Sequence, residues 1–381
     1  MPVTNCRSFN GYKPCAKNAT CTLACPSLDQ VHESILIIHL GALGAVVRST
    51  SLLTSLKKKH PQAKFLWLTE RSAMPLLENI PLIDQVVAAD HEGLLSLQSY
   101  QFSVGYVIDK SLKASGLAGS LKIKKILGFT AEDGVILPAT PAASQLWNLG
   151  LDNFEKFFVN LKPETQLMSE ALELEYRRHE YQIFLSAEEK NVSSLRAQKW
   201  SENKKKLVIG INTGCSPVIP YKKLTVDFHR KVCRELASRS DVQVVLLGGS
   251  EDTQRNQAIA EGLSVIVSDS KLGLRDGLIS VAACDVVITG DSLGMHMAIA
   301  QKKWVVAWFG PTCAQEIDLF DRGVKIQSTA ECAPCWKRSC EKSVMCYDQV
   351  SFQEIISGVE KGIQFWLQTS LSKQPFSEIS F

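Results

Sequence analysis

The chain has 381 residues, enough for two domains of ordinary size, and its 45% hydrophobic and 21% charged residues are typical of a globular enzyme. The formal net charge of +3 gives no case for a nucleic-acid-binding protein, and no apolar run reaches the roughly 18–20 residues needed to span a membrane. Residues Met1–Asp29 lack the apolar segment of a secretory signal, so we expect a cytoplasmic protein whose twelve cysteines stay reduced.

Strands alternate with helices in the first part of the chain. The apolar run Ser34–Leu40 predicts a strand that is buried on both faces, and the helical pattern after it ends at His60-Pro61. Further strands are predicted at Lys64–Leu68, Asp84–Ala88 and Phe102–Ile108, with helices at Ser72–Glu78 and Ser111–Leu121. This alternation is typical of βαβ units and therefore of a parallel sheet.

A second series of the same kind follows a less regular stretch, in which Tyr181–Leu185 resembles a strand. Its strands are predicted at Leu207–Ile211, Gln243–Leu247, Ser264–Val267, Asp285–Thr289 and Trp304–Phe309. The sequence therefore predicts an α/β protein with two doubly wound, Rossmann-like domains.

The predicted domains comprise residues 31–190 and 204–350 and join near Glu188–Lys206. Residues 1–30 form a separate cysteine-rich segment. We expect residues 351–381 to form a terminal helix and tail that pack back on the N-terminal domain.

A glycine-containing turn ends the first predicted strand. Gly41 and Gly44 would let the backbone turn sharply and let a ligand approach the start of the next helix. The spacing lacks the third glycine of the dinucleotide-binding motif, and a plain strand–helix turn would look the same.

Four polar or glycine-rich loops follow strands of the second series, and the carboxyl ends of parallel strands meet at one edge of the sheet, so these loops predict a nucleotide-binding site. Backbone N–H groups at the helix that begins within Asp291–His296 suit a diphosphate, although Asp291 could instead cap that helix. The candidate residues are Thr213, Gly214, Lys222, Lys223, Gly248, Glu251, Asp252, Asp291, Ser292, Gly294, Met295, His296, Gly310 and Thr312.

Eight of the cysteines fall into two groups of four. The spacing C-x₂-C-x₄-C-x₅-C is formed by Cys332, Cys335, Cys340 and Cys346. Such spacing predicts a tetrahedral thiolate site that is structural, because four thiolates close a zinc shell; iron is the alternative metal. The other group comprises Cys6, Cys15, Cys21 and Cys25. These cysteines either form a small metal knuckle or belong to a tail with spare thiols.

These motifs resemble glycosyltransferase family 9, the ADP-heptose heptosyltransferases of lipopolysaccharide assembly. The resemblance runs from about Ile35 to Ile356 and is most specific at Asp291–Ala298 together with Phe309–Thr312. It implies two Rossmann-like domains that face each other across a cleft, the GT-B fold. It also implies an inverting transfer of a sugar, such as heptose from ADP-heptose, to a lipopolysaccharide core or protein acceptor, with no catalytic metal.

The resemblance further implies that the C-terminal domain binds the donor and the N-terminal domain presents the acceptor. Lys222 matches a lysine that contacts phosphate, the amides of Gly294, Met295 and His296 would bind the diphosphate, and Glu251 or Asp252 would reach the ribose. Some relatives that glycosylate proteins hold a metal at cysteines similar to Cys332–Cys346.

One position departs from the family pattern. Where the family usually has an aspartate that serves as general base, this chain has Ala45, which cannot accept a proton. Loss of a positioned base typically costs roughly 10²- to 10⁴-fold in rate. Asp109 is the best substitute by position and His39 the second; otherwise the chain is a weakened enzyme or an inactive sugar-nucleotide-binding protein.

The sequence leaves several partners open. It is compatible with peripheral association at the inner face of the cell membrane and with a homo-oligomer, and it gives no case for a nucleic acid. An epimerase-like nucleotide-sugar enzyme is the rival enzyme class, and the missing dinucleotide-binding motif counts against it.

Overall fold

The computed structural model describes residues 5–372, which form two compact units. The first unit comprises the described residues up to Asn153 together with Glu164–His179, and the second comprises Phe154–Pro163 and the chain from Glu180 onward. Each unit is built on one largely parallel sheet, which confirms the predicted α/β class with two doubly wound domains. The ends of the predicted segments 1–30 and 351–381 lie outside the described residues.

The first sheet consists of β1 Glu33–Ile38, β2 Ala63–Thr69, β3 Gln85–Ala88, β4 Phe102–Val107, β5 Ile123–Glu132 and β6 Val135–Pro138. Its strand order is β3-β2-β1-β4-β5-β6, and neighbours are parallel except β5 and β6. That pair is a hairpin whose turn residues, Asp133 and Gly134, both have positive φ, at 47° and 77°. The winding direction reverses between β1 and β4, the point where such sheets bind ligands.

The core of the first unit surrounds β1. Residues Ile35–Ile38 have no exposed surface, as expected for a central strand covered by helices on both faces. The helices of this unit are α1 Leu43–Ser49, α2 Leu53–Lys59, α3 Met74–Leu77, α4 His91–Leu97, α5 Leu112–Gly119, α6 Ser144–Asn148 and α7 Glu164–Ala171. Leu167 and Met168 of α7 belong to the same core.

The second sheet consists of β7 Leu207–Asn212, β8 Val242–Leu247, β9 Ile266–Val267, β10 Val286–Gly290, β11 Trp304–Phe309 and β12 Gly323–Gln327. Its order is β12-β11-β10-β7-β8-β9, and every neighbouring pair is parallel. The winding reverses between β7 and β10, just as it does between β1 and β4.

The helices of the second unit are α8 Ala187–Trp200, α9 Val226–Ala237, α10 Thr253–Ala260, α11 Leu274–Ala282, α12 Leu293–Ala300 and α13 Phe352–Ser372. The last of these, α13, packs on β10, β11 and β12 of its own unit, and its predicted packing on the N-terminal domain stays a prediction. Ile355, Val359 and Ile363 are buried in that core, and the Trp304 indole donates to the Gly358 carbonyl over 3.0 Å.

Most of the predicted junction Glu188–Lys206 forms α8, which belongs to the second unit. Ser186 and Glu189 form a capping box that starts this helix. Arg196 pairs with Asp276 at 2.7 Å and so holds α8 against α11. The strand-like run Tyr181–Leu185 forms no strand; the Tyr181 ring instead packs against those of His296 and Phe320.

Candidate functional site

The loops of the second unit meet at the point where its sheet reverses direction. Asn212, at the end of β7, donates hydrogen bonds through its side-chain amide to Ser292 Oγ at 3.0 Å, Thr289 Oγ1 at 3.3 Å and the Gly214 carbonyl at 3.0 Å. The Asn212 side chain therefore holds the loop after β7 and the loop after β10 together at this edge of the sheet. Asn212 is not among the predicted site residues, although it directly follows the predicted strand Leu207–Ile211.

Two glycines at this edge are required by close approach. A β-carbon on Gly290 would lie 2.2 Å from the Lys222 carbonyl oxygen, and one on Gly294 would lie 2.7 Å from Asn212 Cγ. The turn that carries Lys222 can therefore pack directly against the end of β10. There the Lys222 ammonium lies 3.4 Å from Asp291 Oδ2, with both side chains largely buried.

The start of α12 offers backbone donors rather than side chains. Met295 and His296 are buried, and their amides already donate to the Ser292 carbonyl at 3.1 and 3.4 Å. The first amides of a helix have no intrahelical acceptor, so those of Leu293 and Gly294 are better placed for a diphosphate than those of Met295 and His296.

The turn after β8 separates the two acidic candidates. Asp252 is 2% exposed, its Oδ2 accepts the Gly249 amide at 3.0 Å, and a β-carbon on Gly214 would lie 1.8 Å from that oxygen. Burial raises the pKa of Asp252. Asp252 is thus bonded to the turn itself, whereas the Glu251 side chain is exposed.

The remaining donor candidates differ in what they offer. Thr213 is buried and its hydroxyl contacts Asn256 Oδ1 at 2.5 Å, which is a structural role. Lys223 is half-buried, and its positive charge lowers the pKa of Asp252, which partly offsets the rise caused by burial. Thr312 is 1% exposed, and its hydroxyl has no hydrogen-bond partner in the described part of the chain. A buried hydroxyl without a partner is uncommon and marks a place where a ligand can bond.

The four cysteines of the segment Cys332–Cys346 line one cavity of about 20 Å³, together with Gly310 and Pro311. Burial and the neighbouring thiols raise the pKa of Cys346 to about 11. Across residues 5–372, however, no three His, Cys, Asp or Glu side chains are arranged to hold a metal ion. The four thiols therefore line one cavity, but they do not form the tetrahedral arrangement that the spacing predicts. The half-buried N-terminal cysteines give no such arrangement either; they are Cys6, Cys15, Cys21 and Cys25.

In the first unit, Asp109 lies at the corresponding reversal between β1 and β4. Its carboxylate accepts the amides of Leu40 and Gly41, and its side chain is 14% exposed. Burial raises the pKa of Asp109 to about 6, although the two amides stabilise its charged form. A carboxylate with such a pKa is charged at neutral pH and is still a useful proton acceptor.

His39, the second candidate for the general base, is a buried residue. Its ring is 4% exposed, and Nδ1 lies 2.7 Å from Ser49 Oγ, which itself donates to the Val46 carbonyl. Burial, with the nearby Arg48, lowers the pKa of His39 to about 3. The ring is therefore a neutral, buried group, with Nε2 located 3.7 Å from Asp109 Oδ1.

Ala45 is the third residue of α1. It is half-buried, and its amide donates to the Ala42 carbonyl at 2.8 Å. No polar atom of its side chain is available, so among the three catalytic candidates only Asp109 combines partial exposure with a suitable pKa.

The sequence profile of Glycosyltransferase family 9 (heptosyltransferase) matches residues 94–345. The chain belongs to glycosyltransferase family 9. Lipopolysaccharide heptosyltransferase 2 of Salmonella typhimurium is 24% identical over 300 residues, which cover 73% of this chain and 83% of that protein.

Two solved structures extend the comparison. The ADP-heptose lipopolysaccharide heptosyltransferase II of E. coli superposes with a TM-score of 0.65 at 18% identity, over 88% of this chain and 99% of that one. The iron-containing dodecameric glycosyltransferase TibC of enterotoxigenic E. coli superposes with a TM-score of 0.54 at 10% identity, over 88% and 77%.

Membership of family 9 makes the chain a glycosyltransferase, and its fold is that of the family's solved structures. No helix within residues 5–372 is long and apolar enough to span a membrane.

Proposed function

We propose that this family 9 glycosyltransferase transfers a heptose from ADP-heptose, with inversion, to a sugar of a lipopolysaccharide core. The observation that carries the proposal is the group of nucleotide-type loops at the reversal point of the second sheet, where Asn212, Lys222 and Asp291 meet. Curated relatives of this chain are lipopolysaccharide heptosyltransferases, which supports the choice of donor and acceptor.

The second unit binds the donor in this proposal. The amides at the start of α12 and the Lys222 ammonium would contact the diphosphate, and the Thr312 hydroxyl would gain its missing partner. Glu251 would accept hydrogen bonds from the ribose hydroxyls. These groups also stabilise the ADP that departs, because its negative charge grows as the bond to the anomeric carbon breaks.

The first unit supplies the base. The acceptor oxygen bonds to the anomeric carbon, its proton passes to the Asp109 carboxylate, and the bond from the anomeric carbon to the diphosphate breaks. Asp109 thereby serves as the general base. Ala45, which stands where the family usually has an aspartate, cannot fill this role. An inactive sugar-nucleotide-binding protein is the alternative, and it would bind ADP-heptose without turnover.

We also propose that Cys332, Cys335, Cys340 and Cys346 bind a structural zinc or iron ion. Their shared cavity supports this, as does the iron described for TibC. The thiols would turn toward one ion when it binds, and the ion would hold the segment together. Elemental analysis of purified protein should find about one metal per chain, and loss of this metal in Cys335→Ser should lower the melting temperature. A metal-free, fully stable protein excludes the site; a second equivalent would point to the N-terminal cysteines.

Two further properties belong to the proposal. A membrane glycolipid as acceptor would place the enzyme in the cytoplasm, peripherally at the inner face of the cell membrane. TibC is a dodecamer, so the oligomeric state of this protein should be measured in solution and compared with that of TibC.

The deciding experiment incubates the protein with ADP-heptose and a heptose-deficient lipopolysaccharide core, and follows the acceptor by mass spectrometry. We expect a mass gain of one heptose and an equal amount of ADP. If ADP is released only when a protein acceptor is present, the acceptor is a protein and not the glycolipid. Binding of ADP-heptose without any transfer would establish the inactive binding protein.

A further inference from the structure

The segment Cys332–Cys346 packs directly on two turns that carry candidate donor-binding groups, Pro220–Lys222 and Gly310–Thr312. We propose that this segment sets the position of both turns and that Tyr221 is the positioning residue through which it acts on Lys222. The affinity for a nucleoside diphosphate then depends on the conformation of a segment outside the binding loops. This inference rests on the proposed donor site.

The first contact fixes the turn after β11. The Pro311 carbonyl accepts the amides of Cys335 at 3.0 Å and of Trp336 at 2.8 Å. The Trp336 indole also donates to Cys313 Sγ at 3.3 Å, on the far side of Thr312. Three donors from one short stretch thus hold both flanks of the residue whose buried hydroxyl has no partner in the described chain.

The second contact fixes the turn of Lys222. The Cys340 amide donates to the Tyr221 hydroxyl at 3.1 Å, across 119 positions of sequence. On its other side this turn is limited by Gly290, since the Lys222 carbonyl would lie 2.2 Å from a β-carbon there. The turn is therefore held between the cysteine segment and the end of β10, so that a shift of the Cys340 backbone moves the Lys222 ammonium.

The third contact is made by Cys346. Its Sγ would lie 2.8 Å from a β-carbon on Gly310, and its carbonyl accepts the Ser328 hydroxyl at 2.7 Å. One of the thiols that line the cavity thus lies against the turn at Gly310. Any change in how the four thiols pack, whether by metal binding or by alkylation, changes the backbone donors that hold Pro311 and Tyr221.

The test is Tyr221→Phe, which removes the acceptor of the Cys340 amide and alters neither a thiol nor a charge. Calorimetric titration of the full chain with ADP should show affinity weakened roughly 3- to 10-fold, as expected for one lost hydrogen bond. The melting temperature should fall by a few degrees at most, and the metal content should not change. With ADP-heptose the donor KM should rise by the same factor while kcat stays constant.

Tyr100→Phe is the matched control, because it removes a hydroxyl that is also hydrogen-bonded, to Gln85 at 3.3 Å, in the first unit. Its ADP affinity should equal that of the parent. Cys340→Ser keeps the backbone amide but changes the packing of the thiols, so it should shift that amide and weaken ADP binding as well. Adding Tyr221→Phe to it should then cost less than it does in the parent, because the contact is already disturbed.

The outcomes separate the two proposals. If the parent binds ADP and Tyr221→Phe binds it within twofold, or if the effects of Tyr221→Phe and Cys340→Ser simply multiply, the positioning role is wrong and the donor site stands. If the parent protein binds no ADP, both are wrong.

Discussion

Replacing Asp109 by asparagine isolates its role as a proton acceptor. The amide oxygen of asparagine can still accept the backbone amides of Leu40 and Gly41, which now bond to the carboxylate. The side chain keeps its size in a site that is largely buried. We therefore expect Asp109→Asn to fold normally and to melt within a few degrees of the parent.

The expected loss is kinetic. Removing a positioned general base typically lowers the rate roughly 10²- to 10⁴-fold, or about 3–5 kcal/mol of transition-state stabilisation. Burial raises the pKa of Asp109 to about 6, so the parent should have half its maximal kcat/KM near pH 6 and lose about tenfold per unit below pH 5. In Asp109→Asn this acid limb should disappear, because no proton acceptor remains to titrate.

The assay measures ADP release and heptose transfer by liquid chromatography with mass spectrometry between pH 5 and pH 8. ADP affinity should be unchanged, since Asp109 belongs to the acceptor side. Ala45→Asp should change the parent rate less than threefold but should restore Asp109→Asn at least tenfold. Should Asp109→Asn keep more than a tenth of the parent activity, the base lies elsewhere. A large gain from Ala45→Asp alone would instead identify the parent as a weakened enzyme.

Three other variants, one of them with a matched control, test residues of the donor site. Lys222→Met should weaken ADP binding about tenfold in calorimetry, by loss of a charge-assisted contact, and an unchanged affinity would remove Lys222 from the site. Thr312→Val should weaken ADP binding while the melting temperature stays constant or rises, since the hydroxyl has no partner in the described chain; a marked fall in melting temperature would show a structural role. Gly294→Ala should cost roughly 1–3 kcal/mol in chemical denaturation because its β-carbon would press on Asn212, whereas Gly277→Ala, with nothing within 4 Å, should be neutral or stabilising. Equal effects of the two glycine substitutions would contradict this explanation.

The sequence predicts the sheets well where strands are continuous apolar runs. Those runs are buried on both faces, as in β1 and β10, and few other structures accommodate them. The hairpin of β5 and β6 was missed because Lys124 and Lys125 interrupt its apolar pattern, although Asp133-Gly134 is a strong hairpin turn. The run Tyr181–Leu185 was wrongly predicted to be a strand. Its apolar side chains are packed, but its backbone pairs with no strand in the described part of the chain.

The loops of the site could be predicted, but the contacts within them could not. Glu251 and Asp252 are adjacent acidic residues that the sequence cannot distinguish. The structure shows that Asp252 is the buried one, because its carboxylate lies against Gly214. The same holds for His39, whose neutral state depends on burial and on Arg48. The bond between Cys340 and Tyr221 joins residues too distant along the chain for any pattern to connect.

The position of α13 has a consequence for the order in which the protein is made. The core of the second unit contains Ile355 and Val359, and the Trp366 indole donates to the Asp285 carbonyl at 2.7 Å. The ribosome delivers these residues after the strands that they cover have already emerged. Until then an apolar face of β10 and β11 is exposed in the nascent chain, where a chaperone or a neighbouring chain can reach it. A nonsense mutation just after Cys346 would make that exposure permanent, and we expect degradation rather than a shortened enzyme.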